Sequence, residues 1–268
     1  FGGTIEYRGL SSFRPYAYAL VQRDKNERDF ATFSSLLDDY PTRFKYDSEY
    51  YGVGVRGTVG PSWMYYAEFV KEQGHDLSNS FNINNALFVP QTREKIDSWA
   101  VIAGLSYFMR DKGDSRVDFE FVSGSGDSDR LDSSDTFGGN LTGTKDTAFN
   151  ALGYVNTGLA LSPEPSNLLS FQLGYSTSPF AGWCKALADS RVGINGFLFA
   201  KIDGQAPLNV PTNTHRFVGG EVDFFFDWRV TSDVYVNLRY GIFLPGDAMP
   251  EDQDDARHFV YAGFTYAF

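Results

Sequence analysis

The sequence predicts an all-β protein, specifically an antiparallel transmembrane β-barrel, and three observations carry that prediction. Aromatic residues make up 17% of the 268 positions, yet no run approaches the ~20 apolar residues of a membrane-spanning helix. Many segments alternate apolar and polar residues with a period of two, the pattern of a strand with two different faces. Short turns and long polar links alternate between these segments, as they do in outer-membrane barrels.

The alternation predicts about eleven strands joined by such links. In chain order, the predicted strands cover residues 4–9, 14–23, 50–59, 63–72, 98–110, 116–123, 154–161, 168–175, 217–230, 233–243 and 258–268. Segment 154–161 is the weakest of these, and it is needed to keep the alternation of link lengths regular. Segment 192–201 is a further candidate for a short strand.

The early strands differ in how clearly their faces separate. In the first, Ile5 and Tyr7 alternate with Glu6 and Arg8, whereas both faces of 14–23 are apolar and its facing stays open. Strands 50–59 and 63–72 are joined by the tight turn Gly-Pro-Ser at 60–62.

Charge on alternate positions appears within the aromatic strands. In 98–110 one face is apolar without interruption, and 116–123 alternates Arg116, Asp118 and Glu120 with valine and phenylalanine. Charge on every second residue of such a strand suits a water-filled barrel interior and does not suit a soluble core.

The hairpin 217–243 shows the alternation most clearly. The residues predicted to face lipid are Val218, Val222, Phe224, Phe226, Trp228, Val234, Val236 and Leu238. The residues predicted to face the lumen are Glu221, Asp223, Arg229, Asn237 and Arg239.

The last predicted strand ends on Phe268, with aromatic residues two and four positions earlier. Its length is close to the 9–11 residues that a tilted strand needs to cross a bilayer, and the pattern is typical of the C-terminal strand of bacterial outer-membrane barrels. The edge strand of a soluble sandwich is the alternative.

The direction of the strands bears on the completeness of the barrel. If the last strand ends on the periplasmic side, the first of about eleven strands runs inward from the outer side, whereas single-chain barrels have an even number of strands. We therefore expect residues 1–268 to form one domain that is the C-terminal part of a larger barrel, with further strands before Phe1.

Several segments near the C-terminus resemble one family. They are Gly-Glu-Val-Asp at 220–223, Tyr-Gly at 240–241 running into Phe-Leu-Pro-Gly-Asp at 243–247, and Phe-Val-Tyr at 259–261, with a fainter similarity at 149–161. These pieces resemble the C-terminal part of the alginate export family of bacterial outer-membrane porins. The resemblance implies an outer-membrane channel with a barrel of about eighteen strands.

The predicted functional residues are the inward charges and the girdle aromatics. The predicted channel-lining residues are Glu6, Arg8, Arg56, Glu68, Arg116, Asp118, Glu120, Glu221, Asp223, Arg229, Asn237 and Arg239. The predicted membrane-girdle residues are Trp63, Trp99, Trp228, Tyr266 and Phe268. The lining charges are close to balanced, whereas a polyuronate needs a cationic lumen, so small hydrophilic solutes are favoured. Alternatively, these charges pair across strands and only stiffen the wall.

Other functional classes find little support. The net charge of −11 argues against nucleic acid, and the three histidines and one cysteine form no catalytic or metal motif. We predict no enzyme activity, cofactor or metal. The expected partners are outer-membrane lipid and lipopolysaccharide, small hydrophilic solutes, the barrel assembly machinery at the last strand, and a second copy or partner chain. A scaffold barrel without transport and a soluble β-barrel that binds a ligand are the alternatives.

Overall fold

A computed structural model describes residues 1–26, 29–34, 39–82, 87–130 and 140–267. The strands are β1 (Gly2–Glu6), β2 (Arg14–Val21), β3 (Asp29–Ser34), β4 (Asp39–Arg43), β5 (Tyr46–Val59), β6 (Trp63–Leu77), β7 (Phe81–Asn82), β8 (Leu87–Phe88), β9 (Arg93–Phe108), β10 (Arg116–Gly124), β11 (Leu168–Thr177), β12 (Ser190–Lys201), β13 (Phe217–Arg229), β14 (Val234–Pro245) and β15 (Arg257–Tyr266). Short 3₁₀ turns cover Lys185–Leu187 and Glu251–Gln253. Within the described ranges, no helix combines the length and apolar character that crossing a bilayer requires.

Eleven strands form one antiparallel sheet in chain order, from β1 and β2 through β5, β6 and β9 to β15. The hairpins β3–β4 and β7–β8 form separate two-stranded sheets in the long links. Strands β5, β6 and β9 extend beyond their predicted ends at the long-loop side. The backbone pairing of β5 with β6 and of β6 with β9 continues there past the apolar band. The prediction of an all-β antiparallel architecture is confirmed.

The strand register separates the sheet into two chemically different faces. We call inward the face against which residues 140–167 pack, and we call those residues the lumen segment. The outward face carries large apolar side chains that are exposed to the surroundings, among them Val53, Phe69, Leu105, Phe119, Leu173, Leu198, Phe224, Leu238 and Val260. A continuous apolar surface of this kind is a liability in water and suits contact with lipid.

Aromatic and charged residues bound the outward apolar band. At the short-turn end, the rings of Trp63 and Tyr107 lie 4.6 Å apart. At the long-loop end, Trp99 lies beside Lys71, whose ammonium contacts Asp97 at 2.5 Å. Trp99 and Tyr107 are about 27 Å apart along the strand, at ~3.4 Å per residue. At a strand tilt of about 40°, their separation along the membrane normal approaches the height of the lipid-facing band of a membrane barrel.

The predicted strand 154–161 is wrong. These residues belong to the lumen segment, and the backbone N–H groups of Leu159, Ala160 and Leu161 bond to the side chain of Glu221 instead of to a neighbouring strand. The candidate segment 192–201 takes the vacant place as β12, which pairs with β11 and β13. The number of strands is therefore as predicted, although one member differs.

The predicted lipid-facing position of Val218 is also wrong. A β-bulge between β12 and β13 pairs Ala200 with Phe217 and Phe199 with Gly219, which leaves Val218 without a partner on β12. One extra residue reverses the facing of a side chain. Val218 is consequently buried in an inward core.

Two apolar clusters lie on the inward side. One joins β11–β14 to the long loops and the end of the lumen segment, through Leu161, Leu168, Phe197, Phe199, Leu208, Val218, Phe243, Ala248 and Met249. The other places Phe149 of the lumen segment against Tyr50, Val70 and Ala100. These clusters fix both halves of the lumen segment against the wall.

Cysteine labelling tests the facing of β14. In a Cys184→Ser background, we expect Asn237→Cys to react with a water-soluble maleimide and Leu238→Cys with a lipid-soluble probe, because consecutive residues of a strand point to opposite sides. Both positions are accessible, since Leu238 is exposed and Asn237 is half-buried. Glu221 is unsuitable as the inward site because it is only 2% exposed beneath the lumen segment. Reaction of the water-soluble reagent at 238 and not at 237 would reverse the assignment.

Candidate functional site

The lumen segment is attached to β6 through Glu72, which is completely buried. The Glu72 carboxylate accepts hydrogen bonds from the hydroxyls of Tyr46 and Ser98, both at 2.7 Å, and from the N–H of Asn150 at 2.9 Å. The Tyr50 hydroxyl donates to the Asn150 carbonyl at 2.8 Å. Asn150 therefore has both backbone groups bonded to the inward wall.

A second attachment lies across the lumen on β13. The Glu221 carboxylate accepts three consecutive N–H groups, from Leu159 at 2.5 Å, Ala160 at 2.7 Å and Leu161 at 2.8 Å. Successive N–H groups form a concave anion-binding arrangement. Gly158 precedes them with φ +96°, and a Cβ there would lie 2.5 Å from a Glu221 oxygen, so this close approach requires glycine.

The start of the lumen segment is held by buried polar contacts at the long-loop end. Arg130 and Asp146 form an ion pair at 2.5 Å, and both side chains are almost fully buried. Asp127 accepts the Thr147 N–H at 2.7 Å. Burial raises the pKa of Asp127, and its hydrogen bonds from backbone N–H groups act in the opposite direction.

The lumen segment covers only part of the inward face. Its contacts reach β5, β6, β9 and β13, whereas Tyr261 and Thr265 on the inward face of β15 remain exposed. At the middle of the segment, the Tyr154 side chain is 80% exposed. The segment therefore narrows the space enclosed by the sheet and leaves part of the wall accessible to water.

Tyrosine rings lie against glycines along the inward wall. The Tyr16 and Tyr18 hydroxyls donate to the two oxygens of Glu68 at 2.5 and 2.8 Å. A Cβ at Gly54 or Gly52 would lie 2.4 or 2.2 Å from the rings of Tyr16 and Tyr18, respectively. The glycines thus let the rings rest on the neighbouring strand, and the carboxylate holds their hydroxyl ends.

The predicted lining residues near the first strands lie together. Glu6 contacts Arg8 at 2.6 Å and Arg56 at 2.7 Å. Arg8 itself follows the end of β1 and lies in the β1–β2 link. Both arginines thus share one carboxylate, and the Arg56 guanidinium also lies 5.8 Å from the centre of the Tyr16 ring.

The other predicted lining residues lie on the inward face of later strands. Arg116 pairs with Asp118 at 2.7 Å, and the Tyr66 hydroxyl donates to Glu120. Across the sheet, Arg239 pairs with Asp227 at 2.7 Å. By register, Arg229 and Asn237 share the face of Asp227. Asp223 is buried next to Glu221, and its Oδ1 has no hydrogen-bond partner among the described residues.

Three of the predicted girdle residues lie at the ends of strands, whereas Trp99 lies within β9 at the long-loop boundary of the apolar band. Trp63 and Trp228 lie at the short-turn ends of β6 and β13, and Tyr266 ends β15 at the same side. The Trp228 indole donates to the Ala186 carbonyl at 2.9 Å. Phe268 lies outside the described residues.

A polar recess of about 330 Å³ opens on the inward wall between β6 and β13, beside Asn156 of the lumen segment. Its principal side chains are those of Tyr66, Arg116, Asp118, Gln172, Asn195 and Phe225. In the part of the chain that the structure describes, no group of three or more His, Cys, Asp or Glu side chains is arranged to hold a metal ion.

Sequence reasoning placed Glu72 and Asp227 on the inward face, but it did not identify the lumen segment or its attachment to Glu72 and Glu221. One signal was available for the segment, because the long link contains apolar residues such as Phe149, Leu152 and Leu161 that a solvated loop does not need. The glycine-backed tyrosines of β2 carried no such signal, since both faces of that strand are apolar.

Comparisons with known proteins give one family and several structures. The model of the family described as alginate export matches residues 1–263. A NanC porin shares 8% identity with a TM-score of 0.40, over 100% of this chain and 99% of that one. OprB of Pseudomonas putida shares 11% identity with a TM-score of 0.48, over 98% of this chain and 57% of that one. OccK11 of Pseudomonas aeruginosa shares 13% identity with a TM-score of 0.46, over 99% of this chain and 69% of that one. No curated protein matches the sequence.

Proposed function

Since this chain belongs to the alginate export family, we propose that it passes small hydrophilic solutes through the bacterial outer membrane. It is an outer-membrane barrel protein of the porin or export-channel type. In such barrels the short turns lie on the periplasmic side and the long loops outside. Lipid and lipopolysaccharide then surround the outward apolar band, and the solute meets the inward face.

The observation that carries this proposal is that polar side chains occur along the inward face outside the two apolar clusters. Polar side chains line it from the long-loop end, near Glu72, to the short-turn end, near Arg116. Exposed apolar residues cover the opposite face of the same strands. A wall of this kind separates water from lipid, and the lumen segment narrows the aqueous side.

The pairing of the lining charges supports small solutes over a polyanion. Arg8, Arg56, Arg116 and Arg239 each contact a carboxylate of the same wall. A long polyuronate requires an excess of positive charge along its path, because the fixed charge of a pore sets which ions it concentrates. These four arginines share the three carboxylates of Glu6, Asp118 and Asp227, and the inward carboxylates of Glu68 and Glu120 offset the remaining positive charge.

Planar-bilayer recording tests the proposal. We expect the purified protein to form open channels, with cation and anion permeabilities within about threefold of each other because the lining charges are balanced. Strong anion selectivity would favour an acidic polysaccharide as the solute. Correctly inserted protein without conductance would favour the alternative of a scaffold or partner-binding barrel.

Three further points remain proposals. The family and fold favour a non-enzymatic channel, and we assign no catalytic role to the inward residues. We propose that the barrel assembly machinery recognises β15, which ends on Tyr266. Association with a second copy or a partner chain stays a prediction.

A further inference from the structure

The polar recess has the size of a small-molecule site. Its volume of about 330 Å³ falls at the lower end of the ~300–1,000 Å³ range of ligand pockets. It lies on the short-turn side of the lumen segment, with Asn156 of that segment at its edge and the inward residues of β6 and β9–β13 around it. A solute that passes the segment therefore meets the recess.

The amide side chains of the recess are available to a ligand. Gln172 and Asn195 are half-buried, and neither amide has a hydrogen-bond partner among the described residues. The Asn156 oxygen accepts a long bond of 3.4 Å from the Gly158 N–H, which leaves its amide nitrogen free. An amide both donates and accepts, and a sugar hydroxyl does the same. The Asn195 Oδ1 lies over Gly174 of β11, and within the described wall no hydrogen bond engages the Gln172 or Asn195 amide.

The charged side chains of the recess are already occupied. Asp118 accepts from Arg116 at 2.7 Å and from the Ser106 hydroxyl at 2.6 Å, and Glu120 accepts from Tyr66. A second guanidinium, that of Arg191, donates to Ser176 at the edge of the recess at 2.7 Å, so two carboxylates and two guanidinium groups balance. An anionic solute therefore meets no excess of positive charge and has to approach two carboxylates, whereas a neutral solute meets no such cost.

Aromatic rings form two sides of the recess. A Cβ at Gly104 would lie 2.3 Å from the Tyr66 ring, and a Cβ at Gly193 would lie 2.3 Å from the Phe225 ring, so both rings rest against glycine backbone. The Arg239 guanidinium lies 5.4 Å from the centre of the Phe225 ring. Flat apolar surfaces beside a few convergent polar groups are typical of sites that orient a small ligand.

We propose that this recess binds a neutral, hydroxyl-rich ring solute, namely one unit of an uncharged saccharide, during its passage. The inference rests on the proposed function, since it names a substrate class for the same lumen. Gln172, Asn195 and Asn156 hydrogen-bond the hydroxyl groups, and Tyr66 contacts the C–H face of the ring.

Current block by saccharides tests the inference. We expect maltotriose to interrupt the current of single channels in a concentration-dependent manner, and trigalacturonate at the same concentration to block more weakly. In Gln172→Ala/Asn195→Ala, block by maltotriose should need about tenfold more sugar, since hydrogen bonds to two amides are lost. Gln73→Ala removes an amide from the outward side of β6. Maltotriose should block this variant as strongly as it blocks the unmodified protein.

The outcomes separate this inference from the proposed function. The channels could open normally without being blocked by maltotriose, or be blocked more strongly by trigalacturonate. Either result overturns the inference of a saccharide site but agrees with the proposed channel function. Inserted protein without any conductance overturns the proposed function itself. If the double variant does not insert, the isosteric Asn195→Asp serves instead, and unchanged block in that variant also counts against the site.

Discussion

Replacing Glu221 by alanine is expected to free the lumen segment around residues 159–161 and to increase the single-channel conductance severalfold. Three consecutive N–H groups lose their only charged acceptor at once. Hydrogen bonds to a charged group contribute roughly 1.5–3 kcal/mol each. Even a loss of about 3 kcal/mol raises the detached population of this stretch by roughly a hundredfold. Bilayer recording measures the conductance and the noise of the open current.

Two variants make the comparison specific. Glu221→Gln keeps one carbonyl oxygen as an acceptor, so its conductance should lie between those of the unmodified protein and Glu221→Ala. Glu120→Ala removes another inward carboxylate, which accepts from the Tyr66 side chain and not from the lumen segment. We expect it to leave the noise of the current unchanged. Equal conductance and noise in all inserted variants would show that the Glu221 bonds do not restrain the segment.

The wall could be predicted from the sequence because it depends on a local rule. In β10, Arg116, Asp118 and Glu120 alternate with Val117 and Phe119, and the pleat of a strand alone sends the two sets to opposite faces. The same rule places Trp99 and Leu105 on the outward face of β9. Neither assignment needs any knowledge of the neighbouring strands.

The lumen segment could not be predicted in this way because its partners are distant in sequence. Leu159 and Ala160 satisfy their N–H groups with Glu221, about sixty residues away. Residues 154–161 contain enough alternation to suggest a strand, but only tertiary contacts decide whether the backbone pairs with a strand or with a carboxylate. The predicted facing of Val218 is wrong for a related reason. A bulge depends on the register of two strands, so the alternation of residues in one strand does not reveal it.

The facing of β2 shows a third kind of limit. Tyr16 and Tyr18 alternate with alanines, so hydropathy does not distinguish the faces. The tyrosines point inward because Gly54 and Gly52 on β5 make room for their rings and Glu68 on β6 accepts their hydroxyls. A prediction would have required the register of three strands at once.

Arginine at position 103 should be the most damaging single change on the outward face. Ala103 is four residues from Trp99 and four from Tyr107, which places it about 14 Å along the strand from either boundary of the apolar band. Its outward neighbours across the sheet are Ala67 and Phe121, and neither offers a polar group to a guanidinium. We expect Ala103→Arg to lower the free energy of unfolding in lipid by ~2–4 kcal/mol.

The comparison positions follow from depth and facing. Positions 101 and 105 each lie two residues closer to a boundary of the band than position 103. An arginine there reaches the interface more easily, so Val101→Arg and Leu105→Arg should lower the free energy of unfolding by less than Ala103→Arg does. The side chain at position 106 points inward, where the Ser106 hydroxyl donates to Asp118 at 2.6 Å. The Ser106→Arg protein should therefore fold normally, and its added positive charge should shift the ion selectivity toward anions. Urea unfolding of the lipid-inserted variants measures these differences. Equal destabilisation at 103 and 106 would contradict the separation of the wall into a lipid face and an aqueous face, because a charge is costly only where no water reaches it.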